Sequence, residues 1–498
     1  MPAINRRAVL LGSAGGLLTL GGLPACSTST GTAVTSSSQA VAMAERARRV
    51  AGQRTVTTRL VPRPATLDLG GPMVRSWAYG DSVPGPLLRA TAGDRVVVIV
   101  DNALPESTSV HWHGVALRND MDGVPGMTQS PIGTNSQFTY DFTVPDPGTY
   151  FYHPHSGVQL DRGLYGVLVV DDPAEPGDYD AEWIVVLDDW VDGTGQTPDD
   201  VLAALRKGGA GSGGMDHGSM GGMPMGGMGA EMQSPLLGGA GDVTYPHYLI
   251  NGRVPASPVT LSAKPGQRVR IRMINAASDT AFRVALGSHR LTVTHSDGFP
   301  VVPTDTDALL IGMGERFDVV TTLGDGTFPL VASAEGKSGQ GLALVRTAGG
   351  DVPAPGETPA ELRKQVALGT QLRATPEVAL RAQEPDRTHD LVLGGSMTKY
   401  RWTINGKTFD EAEPLEIRQG ERVRLRLRNM SMMFHPMHVH GHTFGLRNTK
   451  ARKDTVIVRP MESVEVDLDA VNPGQWATHC HNIYHAEAGM MTTLSYRA

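Results

Sequence analysis

The chain has 498 residues, 40% of them hydrophobic and 19% charged, with a formal net charge of −7. That length suggests about three domains, the charge leaves no basic footprint for nucleic acid, and no stretch beyond the N-terminus approaches the roughly 20 apolar residues of a membrane helix. Sixty glycines and 34 prolines favour many turns, and hence β structure.

At the N-terminus, Arg6-Arg7 precede an apolar, Gly-rich run from Ala8 to Leu23, closed by Leu23-Pro24-Ala25-Cys26. A charged start, a short apolar core and a small-residue cleavage region describe an export signal over residues 1–26. The arginine pair resembles the twin-arginine type, which exports folded proteins. Leu-x-Ala-Cys resembles a bacterial lipoprotein box, with Cys26 as the lipidated residue and the one expected membrane contact; plain cleavage near Ala25 is the other reading. An extracytoplasmic, lipid-anchored protein is expected. Residues 27–53, rich in Ser, Thr and Ala, read as a tether.

One pattern then recurs three times. Gly93-Asp94-Arg95-Val96 runs to Asn102, Gly266-Gln267-Arg268-Val269 to Asn275, and Gly420-Glu421-Arg422-Val423 to Asn429. In the second copy Val269, Ile271 and Met273 alternate with Arg268, Arg270 and Arg272, and the third alternates likewise. That is the signature of a half-buried strand after a tight turn. Copies 173 and 154 residues apart are too widely spaced for a solenoid and predict three homologous β domains, 54–190, 244–350 and 386–498, joined by linkers 191–243 and 351–385.

The histidines follow this repeat. His111 and His438 each lie 18 residues after the repeat glycine and each opens an HxH, His111-Trp112-His113 and His438-Val439-His440. A second HxH follows 42 residues on as His153-Pro154-His155, and 41 on as His479-Cys480-His481. The middle copy has Val284 and Leu286 at the corresponding place. Sixteen histidines predict roughly 0.5 such pairs by chance. Two domains facing across a pseudo-twofold would pool eight imidazoles, three ligands for each of two coppers and two for a third, and neutral imidazole suits copper.

The last of these pairs carries a second site. Cys480 points away from His479 and His481 if the stretch is a strand, and His485 and Met490 follow it. Together with His435, they make the His₂Cys site with an axial Met of blue copper. The chain's other cysteine is Cys26, so Cys480 is a lone exported thiol, which metal ligation explains.

Four blocks, HWHG at 111–114, HPHSG at 153–157, HPMHVHGH at 435–442 and HCHNIYHAEAGM at 479–490, look like the copper-binding motifs of the multicopper oxidases. That family includes laccases, ascorbate oxidase, ceruloplasmin-type ferroxidases and bacterial copper-tolerance oxidases. The resemblance covers residues from about 55 to 498, and within the family it is nearest to actinobacterial lipoprotein oxidases of copper detoxification. It implies an all-β chain of three tandem cupredoxin-like Greek-key β-sandwich domains holding four copper ions. Type 1 copper would take His435, Cys480, His485 and Met490; type 2, His111 and His438; one type 3 copper, His113, His153 and His481; the other, His155, His440 and His479. Electrons would enter singly at type 1 and pass through Cys480 and its flanking histidines, and four would reduce O2 to two waters at the trinuclear cluster. Asp122 stands where the family has a carboxylate near that cluster; an ordinary Asp-Gly turn is the other reading. Where many bacterial members have a Glu after the last type 1 histidine, this chain has Ala486, with Glu487 one further on, so the second proton donor stays unassigned.

Between the first two domains lie Met215, His217, Met220, Met223, Met225, Met228 and Met232, spaced by glycines with no helical or strand period. Soft thioethers select Cu(I), so this insert reads as a cuprous reservoir or delivery arm, against a merely Met-rich linker. The expected activity is oxidation of Cu(I) in copper resistance. A laccase-type phenol oxidase or an oxidase of Fe(II) or Mn(II) is the alternative within enzymes, and a copper storage or carrier protein the alternative outside them. His247, His289, His295 and His389 have no partners at ligand spacing and read as structural or exposed; His442 reads as a support for the ligands.

Overall fold

The computed structural model describes residues 31–175, 177–208 and 234–498. The export signal with Cys26, and the insert methionines 215–232 with His217, lie outside the described residues. Among those described, no helix is long and apolar enough to cross a membrane.

The described strands form three β-sandwiches in tandem. The first combines the sheet Thr55–Leu60, Arg95–Asp101, Gln137–Thr143 with the sheet Leu88–Thr91, Gly166–Asp171, Gly148–His153, His111–His113. The second and third each pair a six-stranded sheet with one of six or five strands. The repeat read from sequence is one structural unit. In each sandwich its strand pairs in parallel with the strand that opens the sandwich: Thr55–Leu60 on Arg95–Asp101, Ala181–Trp190 on Arg268–Asn275, and Arg387–Ser396 on Arg422–Asn429. The repeat glycines need their identity, because Gly93, Gly266 and Gly420 have φ of 90°, 80° and 89°, open to glycine at little cost. The closing asparagines are buried clamps. Asn275 Nδ2 donates to the carbonyls of Thr280 and Ile311 while its Oδ1 accepts from Ala277 N, and Asn102 and Asn429 make the equivalent three bonds.

Three expectations change. Ala181–Trp190 belongs to the second sandwich, between His247–Ile250 and Arg268–Asn275, so the first domain ends before residue 181 rather than at 190. In the second repeat strand Arg270 and Arg272 are buried rather than solvated. Both hold Asp318, at 2.6 and 3.0 Å, and Arg272 reaches Thr149 of the first sandwich, so the polar face of that strand is an ion-paired domain interface. Finally, the expected tether contains a docked helix, α1 (Gln39–Arg48). Its Glu45 accepts from Thr143 N and Oγ1, and Arg48 reaches Asn472 of the third sandwich. A second helix, α2 (Pro198–Arg206), lies in the linker and opens with a capping box between Thr197 and Asp200.

Candidate metal centres

The thiolate pocket forms where the strand Gln475–Cys480 runs into the short helix α3 (Ile483–Glu487). Asn482 caps α3 by accepting from Tyr484 N and His485 N, which turns His485 back toward Cys480. The fully buried Cys480 Sγ lies 3.6 Å from His435 Nδ1 and 3.7 Å from His485 Nδ1, and those two nitrogens are 3.1 Å apart. Their far nitrogens are anchored: His485 Nε2 donates to Asp242 Oδ2 at 2.8 Å, and His435 Nε2 meets Ser431 Oγ at 2.8 Å. Both rings thus turn Nδ1 to the sulfur. Burial disfavours charge on His485, but the Asp242 carboxylate outweighs it and pushes the group up to about 10. Met490 is buried and closes the loop through Met490 N to His485 O and Cys480 N to Met490 O. Trp402 covers both imidazoles, with ring centroids at 4.2 and 5.2 Å.

On the other face of the strand stand the eight histidines of the four HxH pairs. Their 41- and 42-residue spacings are sheet register: His111 pairs directly with His153, and His438 with His479. Six of the eight have one nitrogen anchored. His111 Nδ1 donates to Asp122 O, His153 Nδ1 to Pro154 O, His438 Nδ1 to Asp454 O and His479 Nδ1 to Cys480 O. His440 Nδ1 bonds Asp122 Oδ2 at 2.9 Å and His113 Nε2 bonds Asp454 Oδ1 at 3.1 Å. The opposite nitrogens of His111, His113, His153 and His438, and both of His481, are buried with no hydrogen-bond partner. His440 Nε2 and His479 Nε2 face one another at 2.9 Å, with His155 Nε2 at 3.4 Å from the latter. Buried polar atoms are almost always satisfied, and orphaned imidazole nitrogens converging while their far sides are tied to carboxylates and carbonyls is how metal-ligating histidines are held. Burial favours the neutral ring, as ligation requires, at His113, His153, His155, His438, His440, His479 and His481. It sets His113, His153, His155, His440 and His481 well below the usual histidine value and His479 at about 3.

Ligand atoms within 4.8 Å of one another define the groups His435, Cys480, His485; His155, His440, His479; His111, His113, His153; and His111, His438, His440. His481 belongs to none of these groups; its ring centroid is 4.8 Å from that of His113 and 5.3 Å from that of His153. Asp122, expected near the cluster, is fully buried and holds histidines of both domains. Glu487, exposed at the end of α3, lines a cleft of ≈ 30 Å³ together with His153, His155, His479, His481 and Ala486. His442 holds the His440 carbonyl through Nδ1, and His289 and His389 bond backbone carbonyls away from both pockets.

Sequence reading missed Asp242 and Asp454, the carboxylates that orient His485 and His113. Asp454 stays well below the usual carboxylate range because Arg316, His113 and His438 outweigh its burial. Neither residue sits in a repeat position, and neither has a motif around it.

Multicopper oxidase family models match residues 64–175, 182–349 and 383–498. The chain is 52% identical to the multicopper oxidase MmcO of Mycobacterium tuberculosis, over 92% of this chain and 90% of that protein. It is 31% identical to a copper resistance protein A homolog of Pseudomonas syringae pv. tomato, over 82% and 87%. Among solved structures, a multi-copper oxidase from Pseudomonas thermotolerans superposes with a TM-score of 0.67 at 27% identity, covering 89% of this chain and all of that one.

Proposed function

This chain belongs to the multicopper oxidase family, and we propose that it oxidises Cu(I) outside the cytoplasm with O2 as acceptor, as a copper-resistance enzyme. Four coppers suit the donor set: His435, Cys480, His485 and Met490 for one, and the eight paired histidines for three. Bound there, copper supplies one-electron oxidation at the thiolate and four-electron reduction of O2 to water at the cluster. The residues supply the rest. Cys480 is covalently continuous with His479 and His481, so one peptide segment spans both pockets. Asp122 accepts from His440 Nδ1 through Oδ2, and its Oδ1, buried without a hydrogen-bond partner, is the atom placed to relay a proton beside the cluster; Glu487 can pass one in from the cleft it lines. Trp402 and the surrounding core exclude water from the thiolate.

The observation that carries the cuprous reading is where the methionine insert is rooted. Its C-terminal flank packs Gly238 against Pro460 and Gly239 against Met433, and ends at Asp242 on His485. Asp242, the support of a thiolate-pocket histidine, therefore lies only ten positions after Met232. On the same rim Met430, Met432 and Met461 are 51%, 74% and 64% exposed. Exposed thioethers gain no packing, and they are soft ligands suited to Cu(I). Similarity to a copper resistance protein supports the same reading. The test is oxygen uptake by the copper-loaded protein with weakly chelated Cu(I), a phenol or Fe(II) as donor, in the full chain and a variant lacking residues 213–232. Fast Cu(I)-driven uptake that falls several-fold on deletion is expected. Slow Cu(I) turnover beside brisk phenol or Fe(II) oxidation, indifferent to the deletion, would make the protein a laccase or ferroxidase.

A further inference from the structure

The middle sandwich contributes no histidine pair, yet one of its turns reaches the histidine pocket. A Cβ on Gly314 would stand 2.8 Å from His481 Cδ2 and 3.0 Å from His113 Cε1. Two residues on, Arg316 is fully buried. Its Nε donates to Thr149 O of the first sandwich at 3.0 Å, and its Nη1 to Gly314 O at 3.0 Å. The fork closes on Asp454 of the third sandwich, Nη1 to Oδ1 and Nη2 to Oδ2, each at 2.6 Å. One side chain thus ties three domains together, in the planar bidentate geometry that arginine offers and lysine does not.

We infer that Arg316 is a positioning residue for the cluster histidines: by fixing the Asp454 carboxylate it sets the tautomer and orientation of His113 and, by holding the segment whose main-chain carbonyl anchors it, the orientation of His438. Asp454 Oδ1 lies 3.1 Å from His113 Nε2, and the Asp454 carbonyl takes His438 Nδ1 at 2.9 Å. Each ring then carries its proton on the anchored nitrogen, and the orphans are His113 Nδ1 and His438 Nε2. These two rings are a stacked pair, with centroids 3.8 Å apart and planes at 15°, so a rotation of one displaces the other. A further buried hand on the same segment comes from Asp297, also of the middle sandwich, whose Oδ2 accepts from Asp454 N and Thr455 N at 3.2 Å. The sequence leaves room for the ion pair. A Cβ on Gly114, directly after His113, would collide with Arg316 Nη2 and come within 2.5 Å of Asp454 Oδ2, so the glycine of His111-Trp112-His113-Gly114, already favoured by its φ of 83°, also leaves space for a side chain 202 positions away.

This rests on the reading of the paired histidines as copper ligands, and the test separates the two. Full-length Arg316→Lys and Asp454→Asn are compared with the parent chain in three ways: nitrogen NMR of the His113 and His438 rings in metal-free protein, copper per chain with the blue thiolate absorption, and the EPR hyperfine splitting of the non-blue copper. The expected result for Arg316→Lys is a mixed tautomer at His113, intact blue absorption, a changed hyperfine splitting, and cluster affinity or turnover lowered about 10- to 100-fold. Asp454→Asn should reproduce the tautomer change, which a merely structural role would not predict. Unchanged tautomers and hyperfine splitting in Arg316→Lys would overturn the inference, as would loss of blue absorption together with the cluster, which would mark general destabilisation. A parent chain that binds copper only at the thiolate would overturn the ligand reading instead.

Discussion

In the thiolate pocket every candidate ligand comes from residues 435–490 of one sandwich, whereas in the histidine pocket the candidate ligands come in equal number from two sandwiches, whose matching histidine pairs lie 326 or 327 positions apart in sequence. Their supports differ accordingly. The thiolate pocket borrows a single carboxylate, Asp242, from the interdomain linker. The histidine pocket is cross-braced: Asp122 of the first domain holds His440 of the third, and Asp454 of the third holds His113 of the first. Each half is oriented by the other, and the middle domain locks the second brace through Arg316. A site within one domain can rely on that domain's own packing; a site on a seam needs buried, directional bonds across it, because apolar contact alone sets no ring orientation.

The comparison is broken most severely at Cys480. Cys480→Ser should abolish the blue absorption and turnover while the cluster still loads, since serine preserves the packing and removes only the soft ligand; copper analysis should find one ion fewer per chain. Loss of all copper would mean the pockets are not independent. A smaller effect is expected across the seam. Asp122→Ala should keep the blue colour and slow oxygen consumption about 10- to 100-fold, and unchanged consumption would remove Asp122 from the machinery. The mildest change is Asp242→Asn, which keeps the shape but weakens a bond to a buried histidine. Metal-free protein should lose about 1–3 kcal/mol of stability, and the copper-loaded protein should shift its blue absorption while the cluster EPR stays as it was. A cluster response to Asp242→Asn would mean that the two pockets share their supports.

The convergence of the paired histidines was legible because spacing in sequence is register in a sheet: pairs 41 and 42 residues apart become opposite partners on adjacent strands. The repeat was legible because its glycine and asparagine do the same conformational work three times. The supports were not. Asp and Glu number 51 in this chain, and nothing local marks the one that meets a histidine 243 or 341 positions away. Charge misled in the strand Arg268–Asn275, where alternating arginines read as a solvated face but are buried against Asp318. The docking of α1 was hidden for the opposite reason, since a Ser- and Ala-rich segment carries little apolar signal and is held by polar bonds from Glu45 and Arg48.

The strand carrying His479 and Cys480 is zipped on one edge to His435–Val439 and on the other to Met491–Tyr496, the final strand of the fold. During synthesis, at about 5–20 residues per second, a chain gains its domains in order. His111 and its three companions therefore leave the ribosome roughly 20–70 seconds before His479 does. For that interval the first domain displays four imidazoles with half their partners unmade. Neither pocket is complete until that last hairpin has closed.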